Sequence, residues 1–446
     1  MIAKAQDNQQ LLFSAHLERI LNHNHPLFKL ATVIDWSEFE QAFGKFYSPD
    51  QGRPGKPIRL MVGLHYLKHT FDLSDEDVVT RWVENPYWQY FCGEQYFQHQ
   101  LPIEPSLMTK WRNKVKDNGM EKLLEVTIKT GLKIGALKKT QLKKVCVDTT
   151  VQEKAISFPT DAKLYYRMRQ KLVRKAAECG IELRQTYVRK SKQALVMHSR
   201  YAHAQQYRRA KKQLKKLKTY LGRVTRDIER SIAYLPQTAK EFEGLLALSH
   251  RLLAQQRDDK NKLYSIHAPE VVCISKGKAH KRYEFGSKVG LVTTMKEPFV
   301  LGIQSFDGNP YDGHTLAASI GQMKRICSFE PEDVYVDMGY RGHDYLGSGK
   351  VHIVGRGILK LALTLRRWFK RRSVVEAVIS HSKNECRLAR NYLLGSKGDR
   401  VNAILCGCGY NIRRLLRAFI FWLWKILLLR RFCYRDTLMT IVAKRF

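Results

Sequence analysis

Near its C-terminus the chain reads Phe369-Lys-Arg-Arg372-Ser-Val-Val-Glu376, and Lys383 follows further along. On a helix of about 100° per residue, setting Arg372 at 0° puts Glu376 at roughly 40°, Lys383 at roughly 20° and Phe369 at roughly 60°. Arg387 and Arg390 fall on the same side, while Val375, Val378, Ile379 and Cys386 gather on a neighbouring arc that can pack against a core. One carboxylate thus stands in a stripe of cations on a helix anchored by apolar residues. That pattern suits an acid that binds a metal while the flanking cations hold a phosphate backbone. Ion pairing at i,i+4 is the other account, and this helix alone does not separate the two.

The rest of the chain narrows the choice. At 446 residues it is too long for one ordinary core and predicts two or three domains. With 44% apolar and 11% aromatic residues it has ample material to fold, so it is not a disordered basic tail. A formal charge of +37, from 78 Lys and Arg against 41 Asp and Glu, points to a polyanionic partner. Nucleic acid ranks first because the charge is spread over most of the sequence; an anionic membrane surface and ribosome association rank behind it. Nine scattered cysteines, several inside apolar runs such as Val145-Cys146-Val147, read as reduced, buried thiols of a cytoplasmic protein. Cys406-Gly-Cys408 is the one close pair, and no second Cys/His pair stands at zinc-finger spacing. The start, Met-Ile-Ala-Lys-Ala-Gln-Asp, does not read as a signal peptide. Phe419 to Leu429 is strongly apolar, but Lys425 interrupts it and Arg430 and Arg431 flank it, so a buried terminal helix is expected and no membrane partner.

Four stretches organise the chain. Residues 1–140 predict a helical domain. Ile58 to Phe71 places Leu60, Met61, Leu64, Leu67 and Phe71 on one face, and Ser74 to Asp77 reads as a capping box with Asp in place of Glu, opening a helix to Glu84. A third helix starts at Pro105-Ser106 and carries Lys110, Arg112, Lys114 and Lys116. A helix-turn-helix DNA reader and a plain bundle both fit this stretch. Lys144 to Val151 is a buried strand bearing Asp148. Residues 161–265 form a basic helical insertion in which Leu214, Leu217, Leu221, Val224 and Ile228 recur at helical steps, so it is an amphipathic helix and not a charged tail. Its lysines Lys211, Lys212, Lys215 and Lys216 suit a surface that tracks a DNA backbone, against the alternative of a solvated coiled-coil face. From residue 270 the period falls to two: strands are expected over Val271–Ser275, Tyr283–Val289, Gly290–Thr294, Phe299–Phe306, Val334–Asp337 and Val351–Val354, with a helix over Thr315–Ile326.

Three acids stand out by position. Asp148 ends the first strand, Asp337 ends a later one, and Glu376 lies on the helix after the last. Acids at the carboxyl ends of neighbouring strands meet at the edge of an α/β sheet. Three carboxylates at one point repel, and divalent cations relieve that repulsion. Two Mg²⁺ ions about 3.5–4 Å apart would suit these hard oxygen ligands, one activating the attacking water or 3′-hydroxyl and the other stabilising the leaving oxygen in an in-line displacement at phosphorus. Mn²⁺ could substitute. Taken singly, strand-end Asp residues are usually turn caps; the ordered set with a basic helix around the third is a stronger signal.

Asp148, Asp337 and Glu376 in this strand and helix context resemble the DDE transposases of bacterial insertion sequences. Arg372-x3-Glu376-x6-Lys383 is similar to the tyrosine-x2-arginine-x3-glutamate-x6-lysine signature of one large group of them, with Phe369 standing where the signature has tyrosine. Val147-Asp148-Thr-Thr and Val336-Asp337-Met-Gly-Tyr-Arg-Gly342 resemble the first and second acid motifs. Gly313-His-Thr315, Ser157-Phe-Pro-Thr-Asp161 and the segment from Pro57 to Gly93 look similar too. The resemblance spans nearly the whole chain. It implies an RNase H-like mixed α/β sheet flanked by helices over residues 141–160 and 266–446, with the N-terminal helices 1–140 binding DNA ends and the insertion 161–265 beside them.

By the same resemblance Asp148, Asp337 and Glu376 would bind the catalytic Mg²⁺, and Arg372 and Lys383 would contact DNA phosphates near the cut. Phe369 could stack on DNA but has lost the phenol. Glu385, the competing third acid, projects about 220° from Arg372 and is rejected. The partners implied are the inverted ends of a mobile element and target DNA, gripped by a homodimer. No Walker A loop is present, so no nucleotide cofactor is expected, and neither the tyrosine of a recombinase nor a Gly-x-Ser-x-Gly elbow stands in a suitable context. A non-catalytic repressor descended from such an enzyme and a stand-alone Mg²⁺ nuclease are the alternatives.

Overall fold

A computed structural model describes residues 15–48, 54–275, 281–353, 355 and 363–443; the side chains of 118, 236, 364 and 421–443 lie outside that description. The chain folds as two compact units, Met1–Glu153 with Lys288–Phe446, and Lys154–Ser287.

In the first unit, helices α1 (Leu17–Ile20), α2 (Pro26–Val33), α3 (Ser37–Gly44), α4 (Ile58–Thr70), α5 (Asp75–Glu84), α6 (Pro86–Phe91) and α7 (Ser106–Lys133) precede the sheet. The capping box forms as expected: Ser74 accepts from the Asp77 amide at 2.9 Å, and the Asp77 carboxylate accepts from the Ser74 amide at 3.4 Å. Helix α4 departs from its one-faced pattern. It is buried almost all round, His65, Lys68 and His69 included, because it runs through the middle of the helical layer. Helix α7 breaks at Lys116, where φ is +62°. These helices share a single apolar core with the sheet, so the stretch expected to be an N-terminal domain is a layer of the larger unit.

Strand β1 (Lys144–Glu153) is buried along most of its length, Thr149, Thr150 and Gln152 included, as befits a central strand covered on both faces. The second unit then gathers α8 (Asp161–Glu178), α9 (Val188–His203), α10 (Tyr207–Ile232) and α11 (Pro236–Ala254) around a core of its own containing Leu217, Leu221, Val224 and Ile228. The expected insertion is therefore a helical bundle. Strand β2 (Val272–Ser275) pairs antiparallel with the first residues of β3 (Tyr283–Thr294).

Back in the first unit, β3 pairs antiparallel with β4 (Val300–Phe306). Helix α12 (Leu316–Cys327), β5 (Asp333–Val336), β6 (Lys350–Ile353), α13 (Leu363–Arg372), α14 (Val374–Glu385) and α15 (Gly395–Ala443) complete the chain. The strand order β3-β1-β5-β6, with β1, β5 and β6 parallel, gives the mixed sheet flanked by helices that the sequence implied. Helix α15 crosses the core at close range: a Cβ on Gly409 would lie 2.5 Å from the carbonyl oxygen of His69, and one on Gly407 2.8 Å from Ile303. Asn411 stitches it to the sheet, accepting from the Val300 amide and donating to the Val300 carbonyl, both at 2.9 Å. Cys406 and Cys408 are free and buried beside these glycines, as core thiols. No helix among the described residues is long and apolar enough to cross a membrane; most of the apolar stretch 419–429 lies outside the described side chains.

Candidate active site

Strands β1 and β5 run side by side, with Cys146 opposite Tyr335, and Asp148 and Asp337 each stand two residues past that pair. Asp337 caps a 3-10 turn, its Oδ1 accepting from the Gly339 amide at 2.9 Å. Asp148 accepts from the Thr149 amide at 2.7 Å through Oδ1, leaving Oδ2 for the helix side.

Glu376 joins them through Arg372. The guanidinium, only 17% exposed, lies 3.4 Å from Asp148 Oδ2 and 3.7 Å from Glu376 Oε1. The Arg372 carbonyl receives a long contact, 3.9 Å, from the Cys146 thiol, which docks the end of α13 on β1. Burial pushes the Cys146 thiol well up, and Asp148, Asp337 and Glu376 each push it further while Arg372 opposes them. Burial likewise raises the Tyr340 phenol far above its ordinary value, with Asp148, Asp312 and Asp337 adding to it.

Several expectations for the signature helix are corrected. It is two helices with a break at Ser373, where the Glu376 amide bonds the Ser373 carbonyl at 3.1 Å in a tighter turn and the Ser373 hydroxyl bonds the Lys370 carbonyl at 2.9 Å. The i,i+4 relation of Arg372 and Glu376 survives this break; the wheel beyond Glu385 does not. Arg387 lies past the helix end with φ of +66° and pairs with Asp72 at 3.8 Å, and Arg390 is also outside it. Phe369 is 8% exposed and packs edge-on to Tyr335 with ring centroids 5.8 Å apart, so its ring is core and not a stacking surface. Lys383 sits half-buried on α14. Glu385 turns away, paired with Arg413 at 2.6 Å. In the helical layer, Arg112 is buried in a fork on Asp75 and supplies no surface charge. Lys211, Lys212, Lys215 and Lys216 are exposed on α10 of the second unit.

One site residue escaped the sequence reading. Asp312 Oδ1 accepts from Lys288 Nζ at 2.8 Å and from the Thr149 hydroxyl at 2.9 Å, and its Oδ2 lies beside Gly339, as Asp337 Oδ1 does. It thus ties the residue after Asp148 to the turn after Asp337. The available signal was Lys288, a lone cation within the apolar run of β3, since a buried ammonium requires a carboxylate.

Residues 266–412 match the family described as Transposase DDE domain, and residues 15–114 match Transposase domain (DUF772). The chain belongs to the DDE transposase family. The first of these matches spans Asp337 and Glu376 but begins after Asp148. Over 196 residues, 44% of this transposase, it is 54% identical to 94% of an uncharacterized protein, ORF8 in the nfe locus of Rhizobium meliloti. No solved structure matches it.

Transposases of this family generally use divalent metal ions. Among the described residues no three His, Cys, Asp or Glu side chains close into a metal cage. Asp148, Asp337 and Glu376 offer carboxylate oxygens, the donors a hard cation takes, and Arg372 pairs with two of them, Asp148 and Glu376.

Proposed function

We propose that this transposase cuts the ends of its mobile element and joins them to target DNA by Mg²⁺-dependent phosphoryl transfer, with Asp148, Asp337 and Glu376 as the metal-binding acids. The observation that supports this reading is the arginine shared by Glu376 and Asp148, the latter on a strand whose parallel neighbour leads to Asp337. Two bound Mg²⁺ ions, or Mn²⁺ in their place, would supply an activated water or 3′-hydroxyl and charge stabilisation at the leaving oxygen. The protein's own part is positional. The Thr149 amide fixes Asp148, the Gly339 amide fixes Asp337, and the Lys288–Asp312–Thr149 bridge braces the two loops. Arg372 and Lys383 would hold phosphates at the cut, and Lys211, Lys212, Lys215 and Lys216 would track the DNA backbone. Two ends must be handled together, so a dimer on DNA fits the reaction; nothing in the site calls for a nucleotide cofactor, and the reaction belongs in the cytoplasm.

The test is cleavage and strand transfer on a labelled element-end duplex with Mg²⁺, wild type against Glu376→Gln. The expected result is product from the wild type and none from the variant, with DNA binding kept in both. Binding without cleavage in both would favour a repressor, cutting without joining would favour a nuclease, and equal cleavage in both would remove Glu376 from the chemistry.

A further inference from the structure

The helix that delivers Arg372 to the acids carries a second cluster one turn earlier. Trp368, half-buried, stacks toward Tyr335 with centroids 6.2 Å apart. Three cations from three separate elements converge on its ring: Lys144 at the start of β1, 5.2 Å from the centroid; Lys296 after β3, 5.6 Å; and Arg371 on α13, 5.4 Å. Lys144 pairs with Asp333 at 2.7 Å, an acid that it shares with His352 at 2.7 Å. Burial tends to raise the Asp333 carboxyl, but the bonds from Lys144 and His352 hold it down.

Three like charges around one ring repel, and the ring's quadrupole offsets only part of this, about 0.5–1 kcal/mol for each exposed cation. Such convergence is favourable when an anion bridges them. The cavity beside the ring, about 210 Å³ and lined by Thr140, Gln141, Lys144, Met295, Lys296 and Trp368, is smaller than the roughly 300–1,000 Å³ of ordinary small-molecule sites. It has room for a phosphodiester group but not for a cofactor. Arg366, Arg367 and Lys370 extend the positive charge along α13, which contains no acid, and one helical turn, about 5.4 Å, separates Trp368 from Arg372.

We propose that Trp368 with Lys144, Lys296 and Arg371 is a phosphodiester-binding site, which grips the DNA backbone as it runs along α13 from the acid cluster. This rests on the reading of the chain as a DNA-handling transposase. It adds a contact surface outside the signature residues, and it commits to nucleic-acid backbone as the ligand.

Because phosphate contacts are independent of sequence, the probe can be a fluorescein-labelled duplex of arbitrary sequence, about 40 base pairs long, long enough for several backbone contacts. Lys296 and Arg371 are exposed, so Lys296→Ala with Arg371→Ala leaves the fold intact, as circular dichroism would verify. The expected result is a fall of about two units in the slope of log K against log salt. Trp368→Phe, which keeps an aromatic face under the cations, is expected to retain the wild-type slope, whereas Trp368→Ala is not. A wild-type slope in the double variant, with a steep slope in the wild type itself, overturns the phosphate site and leaves the transposase reading standing. Absence of any salt-dependent binding by the wild type would overturn both.

Discussion

Asp75→Ala is the substitution whose cost the structure defines best. Asp75 opens α5 and holds two cations brought by other helices: Lys68 Nζ at 2.7 Å from Oδ1, and Arg112 in a fork at 2.9 and 2.6 Å. Lys68 and Arg112 are 5% and 4% exposed. Burial raises the Asp75 carboxyl, but Arg112 and Lys68 outweigh it and hold the group well below the ordinary carboxylate range. A carboxylate lowered in the folded state stabilises above its unfolded value and loses that contribution as pH falls, so the wild type is expected to weaken in acid below about pH 4.

Removing one member of a buried ion cluster costs about 3–5 kcal/mol because the partner charges are left uncompensated. Here the cost has a pH signature. Burial already lowers the Lys68 ammonium to about 8, against the pull of Asp75 in the opposite direction. Without Asp75 it falls further, and Lys68 sheds its proton in the folded variant at a lower pH than in the folded wild type. The unfolded chain binds that proton up to about pH 10.5 in both. The variant therefore recovers stability relative to wild type, at up to about 1.4 kcal/mol per pH unit, as pH rises toward 8. Above about pH 8 the folded lysine is neutral in both proteins and the difference levels off at the cost of the unpaired Arg112. Urea unfolding of both proteins at about pH 6, 7, 8 and 9, followed by tryptophan fluorescence, measures this directly. A difference that stays constant from pH 6 to 8, or one below about 1 kcal/mol at pH 6, would refute the argument.

Neutralising Lys211, Lys212, Lys215 and Lys216 together should weaken DNA binding and reduce its salt slope by about one unit per lost phosphate contact; an unchanged slope would sink the role assigned to α10. Gly409→Ala places a Cβ 2.5 Å from a backbone carbonyl that cannot yield, and should cost about 1–3 kcal/mol in chemical denaturation. Gly44→Ala is the control, because nothing lies within 4 Å of the added carbon.

What could be read in the sequence follows from how local each signal is. The Ser74–Asp77 box and the apolar run before Asp148 are decided by neighbours in the chain, and both form as expected. The pairing of β1 with β5 is not local: nothing in Val145-Cys-Val names its partner strand, and only the register of the two strands shows that Val145 lies against Val334 and Cys146 against Tyr335. Asp312 was overlooked because its partners, Lys288 and Thr149, are distant in sequence. Two misreadings were avoidable. Arg112 was counted with Lys110, Lys114 and Lys116 as positive charge of one helix, but a step of two residues rotates about 200°, and Arg112 turns inward. Phe369 was judged by its place in a signature, whereas its ring packs edge-on to Tyr335 in the core.

The surroundings of the three acids also decide which of them tests the chemistry cleanly. Asp148 is 17% exposed and contributes to three things at once: its own strand end, the Thr149 amide and Arg372. Asp148→Asn would leave a mostly buried guanidinium with a weaker partner, and should cost about 1–3 kcal/mol of stability whatever it does to catalysis. Glu376 is different. Its side chain is 67% exposed, and its ion pair to Arg372 is long at 3.7 Å, a class of contact that contributes little in water. Glu376→Gln should therefore change stability by less than about 0.5 kcal/mol. A carboxylate that the fold does not need is one whose replacement tests the proposed phosphoryl transfer free of a stability effect. Should Glu376→Gln unfold the protein as readily as Asp148→Asn, its place in the site is structural and the chemical assignment falls.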